Sequence, residues 1–289
     1  MVGFLFIVLS AVTSVTIAHF LKVTESRQLN TIRVLTVNYF VATTAACLYA
    51  FAKGYPGVNF EILFQPFLLS IGVGVLFIAN FFIYSKSVFY NGVGISIAMM
   101  RISLIIPVLL STLWYLEVLT THQWTGILLV FITLFLLLPN KKSFIKTDQS
   151  ISNGWLLLLL FLGTGIGDAS LKYYEMEYSQ TISKELFMGM VFMTSFWIGT
   201  IYLIYKRSLK FTKEEISIGF AIGVPNLLTS IFLISALERM NGAIVYSSVN
   251  VLTVLGGTLI GVFIWRDKFS TTQWFGIILT LVAIVLLVL

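Results

Sequence analysis

The chain has 289 residues, 58% hydrophobic and only 10% charged, with a mean hydropathy of +0.98. A water-soluble domain carries about 25% charged residues, so this composition argues against one. The net charge of +6 is scattered over single residues and short loop clusters, which argues against a nucleic-acid-binding stripe and suits an anionic membrane surface.

Ten apolar segments approach or reach the roughly 20 residues that span a bilayer. Read in order, they predict helices at about 3–22, 31–52, 63–84, 93–115 and 120–138, then 154–174, 185–205, 215–237, 243–265 and 271–289. Between the two sets lies a polar linker, 140–153, with Lys141, Lys142, Lys146 and Asp148. The runs are continuous, not alternating, so helices and not barrel strands are expected in lipid. The first 22 residues lack a basic start and a small-residue cleavage site, and read as a retained helix. Short loops predict antiparallel neighbours. Cys47 stands alone and neither histidine has a second ligand at metal spacing. With no phosphate loop or catalytic triad either, neither an enzyme nor a cofactor is expected.

The stretch Asn91 to Leu138 returns 150 residues later as Asn241 to Val288. Asn91-Gly92 falls on Asn241-Gly242 and Glu117 on Asp267. Thr121, Gln123, Trp124, Gly126 and Ile127 fall on Thr271, Gln273, Trp274, Gly276 and Ile277, and Leu21-Lys22 on Leu171-Lys172. The chain therefore reads as two copies of a five-helix unit, 1–139 and 154–289. An odd number of spans makes the second copy enter from the opposite side, so the expected fold is an all-α membrane protein of ten transmembrane helices in two inverted five-helix repeats. Thirteen Lys/Arg fall on one side and four (Lys53, Lys172, Lys184, Arg239) on the other. Leu116 and Val118 become Arg266 and Lys268 in the second copy. The richer side is expected to be cytoplasmic, leaving both termini outside.

Ten helices, a five-helix duplication, the Asn-Gly start of the fourth and ninth helices, and an acidic turn before Thr-x-Gln-Trp-x-Gly resemble the drug/metabolite transporter superfamily, in its EamA-like ten-helix branch. The resemblance covers nearly the whole chain. It implies a carrier with a central cavity lined mainly by helices one, three, four, six, eight and nine. It implies export or exchange of a small metabolite without ATP hydrolysis. It also implies cytoplasmic termini, opposite to the charge count.

Two ionisable residues lie well inside predicted spans. Arg101 is near the middle of the fourth, where a charge is costly unless it faces a cavity or a partner; Val251 holds the matching place in the second copy. Arg101 either binds an anionic substrate group through its paired donors or pairs with an acid for packing alone. Asp168 lies in the sixth helix, opposite Ala18 of the first copy. It binds a cationic group, accepts a coupling proton, or pairs with Lys172 four residues on. Lys172 and Lys22 read as helix-end anchors reaching the interface. Asn80 and Tyr84, Asn226, and the shared face of Tyr246, Asn250 and Thr253 are further substrate-binding candidates, with hydrogen bonding between helices as their alternative. Glu117 and Asp267 are expected to cap the following helices, and His19 to be a packing residue. Pro107 and Pro225 are expected to kink helices four and eight. Gly163, Gly167, Gly219, Gly223, Gly257 and Gly261 allow close helix approach.

The expected function is secondary transport of a small polar or zwitterionic metabolite, such as an amino acid, by alternating access. The alternative is a non-transporting or lipid-handling membrane scaffold. Expected partners are a small-molecule substrate and the bilayer, with no nucleic acid, as a monomer or homodimer in a bacterial inner membrane.

Overall fold

A computed structural model describes residues 2–52, 60–137, 153–264 and 271–288. Lys53, Arg266, Asp267, Lys268 and the linker residues Lys141 to Asp148 lie outside them. Long runs of Leu, Phe, Val and Ile leave the backbone no partner in lipid but itself, and each becomes a helix. We label them α1 (Val2–Ser26), α2 (Thr31–Ala52), α3 (Phe60–Asn91), α4 (Val93–Ile102), α5 (Thr121–Leu137), α6 (Gly154–Tyr178), α7 (Lys184–Tyr205), α8 (Lys213–Leu237), α9 (Gly242–Phe263) and α10 (Thr271–Val288). Among the described residues nine spans are long and apolar enough to cross a membrane, with Thr121–Leu137 a shorter apolar helix. The architecture is compatible with a multi-pass membrane protein. Large apolar side chains such as Phe51, Leu113 and Ile201 stand outward, as a lipid-facing surface requires.

α3 runs to Asn91, seven residues beyond its predicted end, because no glycine or proline interrupts it before Gly92. Gly92 then takes φ 86°, a left-handed conformation open to glycine, and the chain reverses into α4. A Ser87–Ser96 hydroxyl bond of 2.7 Å closes that turn.

The fourth span is broken. Pro107 has no N–H for the Ser103 carbonyl four residues back, and its ring crowds that carbonyl. α4 accordingly ends at Ile102, and the Ser103 carbonyl accepts instead from Ile106 N at 2.9 Å. The span resumes as a short helix, Ile105–Leu109, and finishes in a π-helical turn, Leu110–Trp114. Pro225, by contrast, leaves α8 unbroken. Glu117 is not the cap of α5. Thr120 caps it, exchanging bonds with Gln123 (Thr120 N to Gln123 Oε1 3.0 Å, Gln123 N to Thr120 Oγ1 3.3 Å), a reciprocal arrangement that satisfies two free donors.

Packing joins the two halves of the chain more than it joins neighbours within each. α1 lies on α8 and α9, α6 on α3 and α4, α2 on α8 and α7, α3 on α7, and α5 on α10. Small residues set the close crossings: a Cβ on Gly219 or Gly223 of α8 would meet Val37 or Val41 of α2. At the α5–α10 crossing Gly126 rests on Leu287 while Gly276 rests on Leu137. On the lysine- and arginine-rich face Arg33 donates to Ser208 O at 2.8 Å and meets Glu215 at 3.3 Å, tying the α1–α2 turn to the start of α8.

Candidate functional site

Arg101 sits in the last turn of α4, just before the break. The proline-driven break and a close fit on α6 together hold it there. A Cβ on Gly165 would collide with Ile106 and approach the Ser103 carbonyl to 2.8 Å, so the interrupted backbone lies directly against α6. Asp168 is one turn further along α6, on the face toward α4. It is half-buried, as is Arg101. The two charges interact electrostatically but make no direct ion pair.

α9 contributes the third wall. Arg101 Nη1 donates to Asn250 Oδ1 at 3.1 Å. One turn earlier, the Tyr246 hydroxyl donates to the backbone carbonyl of Asp168 at 2.7 Å. One turn later Thr253 is buried with its hydroxyl unpartnered. The face predicted from the spacing of these three residues is thus turned toward Arg101 and Asp168. Tyr84 of α3 is close enough to interact with the Arg101 charge. The Arg101 Nε is buried with no partner, so the guanidinium retains unused donors beside a carboxylate it does not touch. Polar groups left so at depth cost free energy unless water or a ligand reaches them.

Two further candidates contact other helices. Asn226 of α8 donates to Asn38 of α2 at 3.2 Å, spending its amide on a helix–helix bond. Asn80 presses on Gly163, where a Cβ would strike its amide oxygen, and that oxygen has no partner. His19 packs edge-on against Phe20 at 5.5 Å.

Lys172 is neither an interface anchor nor the partner of Asp168. It is 2% exposed, with Nζ 2.9 Å from Glu117 Oε1 and 2.7 Å from Glu175 Oε2. Glu117 reaches it because the chain after the π turn folds back, with Leu116 at φ 52° and Glu117 N bonded to Ser111 O at 3.1 Å. Nearby, Tyr115 donates to Glu177 at 3.3 Å; burial and that carboxylate raise the phenol above its ordinary value, keeping it a donor. The sequence pointed to Asp168 as the helical partner of Lys172; the structure gives Lys172 to Glu117 and Glu175 instead.

A separate groove of about 620 Å³ opens between α3 and α6, lined by Gln65, Leu69, Gly72, Leu76, Ser170 and Tyr178. Arg101 and Asp168 do not line it.

No family model matches the chain. An uncharacterized protein of Haemophilus influenzae is 26% identical over 283 residues, spanning 96% of this chain and 95% of its own length. A solved crystal structure, of a protein not further described, superposes with a TM-score of 0.77 at 14% identity, covering 99% of this chain and 98% of that one. Such a likeness extends to the fold of the whole chain.

Proposed function

We propose that this protein is a secondary carrier of small zwitterionic metabolites, of the kind its resemblance to EamA-like transporters implies. The observation that carries the reading is a guanidinium with unused donors and a carboxylate, held near each other but unpaired, between α4, α6 and α9. A substrate carboxylate fits Arg101 through charge-assisted bonds, and a substrate ammonium fits Asp168. Asn250 orients the guanidinium and Tyr246 fixes the α6 backbone at Asp168.

Alternating access requires two halves that exchange roles. Their inversion is supported by contacts that repeat at the 150-residue offset: α1 on α8 matches α6 on α3, α2 on α8 matches α7 on α3, and α1 on α9 matches α6 on α4. Gly126 on Leu287 and Gly276 on Leu137 are the same contact with the halves interchanged. Each joins the start of one helix to the end of the other, as a two-fold axis lying in the membrane plane requires. The inner membrane of a bacterium remains the proposed location.

The groove between α3 and α6 favours a second reading, in which acyl chains enter from the side and the protein handles lipid. Binding separates the two. Amino acids should raise the melting temperature of the purified protein, with carboxylate-only and amine-only analogues raising it less. Arg101→Ala and Asp168→Asn should each remove the response. No stabilisation by any zwitterion, together with movement of labelled phospholipid between leaflets, would favour the lipid reading.

A further inference from the structure

We propose that Lys172, Glu117 and Glu175 form the gate of the carrier on its lysine-poor face, closed in this structure. The proposal rests on the carrier reading and deepens it. The cluster lies directly over the site. Lys172 is one helical turn from Asp168 on the same face of α6, a rise of about 6 Å. On α9, Gly242 is one turn from Tyr246, whose hydroxyl bonds the Asp168 carbonyl. A Cβ on Gly242 would strike the Ser111 hydroxyl and come within 3.2 Å of Lys172 Cε. Ser111 is wholly buried and its hydroxyl unpartnered. The end of the fourth span, α6 and the start of α9 therefore meet in one layer with Lys172 at its centre.

The chemistry of that layer suits an element with two states. Apolar side chains would hold a permanent seal at least as well, because a buried ion pair loses on desolvation much of what it gains by attraction. Separated, the same three charges are well hydrated, so the open state is not penalised as parted apolar faces would be. The ties are also asymmetric. Lys172 and Glu175 share α6, whereas Glu117 arrives on the segment after the π turn. Opening breaks the 2.9 Å Lys172–Glu117 contact. It also releases a segment that holds Leu116 in a left-handed conformation at φ 52°, which a side chain with a Cβ disfavours.

Ser111→Cys in a Cys47→Ala background supplies a thiol within the layer. A membrane-impermeant maleimide is applied to right-side-out and inverted membrane vesicles, with no substrate present. With the cluster intact, labelling is expected to be slow from both faces. Glu117→Gln is expected to raise the rate at least tenfold from the lysine-poor face alone. The exchanged pair Glu117→Lys with Lys172→Glu is expected to return it to slow. Three results would overturn the gate: a rate unchanged in Glu117→Gln, a rise equal from both faces, or an exchanged pair that stays fast. Arg101→Ala should label like its parent, so failure of the binding site and failure of the gate are read separately.

Discussion

The fourth and ninth spans begin alike, after Asn91-Gly92 and Asn241-Gly242, and then part. α9 runs unbroken from Gly242 to Phe263, with Val251 wholly buried where the fourth span has Arg101. Gly257 stands where the fourth span has Pro107, and α9 passes through it without a break. In the fourth span the proline stops the helix one residue after the arginine. α9 stays unbroken and free of charged residues; the fourth span carries both the charge and the interruption. α9 packs without either. Broken helices beside a charge at depth are the arrangement carriers use to meet polar substrates.

The largest expected effect comes from writing the valine of α9 into the fourth span. Arg101→Val should lower substrate binding and transport about a hundredfold, the order of 2–5 kcal/mol seen when one member of a buried charged contact is removed. Its melting temperature should hold or rise, because an incompletely paired charge has gone. A fall in melting temperature with transport intact would mean that Arg101 serves packing alone. Asp168→Asn should cost about thirtyfold in transport, roughly 2 kcal/mol, again without loss of stability.

Pro107→Ala repairs the span. Removing an interior proline is worth up to about 3 kcal/mol of helix stability, so thermal stability should rise while transport falls about tenfold. Transport unchanged by the repair would separate the break from function. Asn250→Ala removes one bond to the guanidinium and should raise the apparent KM threefold to tenfold at constant kcat, about 1 kcal/mol. The smallest effect is expected at Asn226→Ala. Its amide is spent on Asn38, so transport should stay within twofold, with a stability loss of about 0.6 kcal/mol.

The order of the apolar helices and most of their limits were legible because bilayer thickness dictates apolar length and little else competes with it. The Tyr246–Asn250–Thr253 face was legible because helical spacing is local. The break in the fourth span was partly so: proline announced a kink, but the turn at Ser103 and Leu104 and the π turn beyond it depend on how the chain packs on α6. Lys172 was not legible. Its partner Glu117 lies in a loop 55 positions away, and helical spacing carries no information across that distance. The Asn226 bond to Asn38 was not legible for the same reason, since Asn38 reaches it from the other half. Gly92, by contrast, marked the α3–α4 turn correctly, while the residues before it gave no reason to stop earlier.

Counterflow in liposomes tests transport at the Arg101–Asp168 pair most directly. Liposomes containing the purified protein are loaded with an unlabelled compound and exposed to the same compound in trace labelled form, across a panel that includes amino acids, carboxylates, amines and sugars. The wild-type protein is expected to accumulate at least one zwitterion transiently, an effect lost in both Arg101→Ala and Asp168→Asn. Accumulation at the wild-type rate in both variants, with normal insertion, would contradict it.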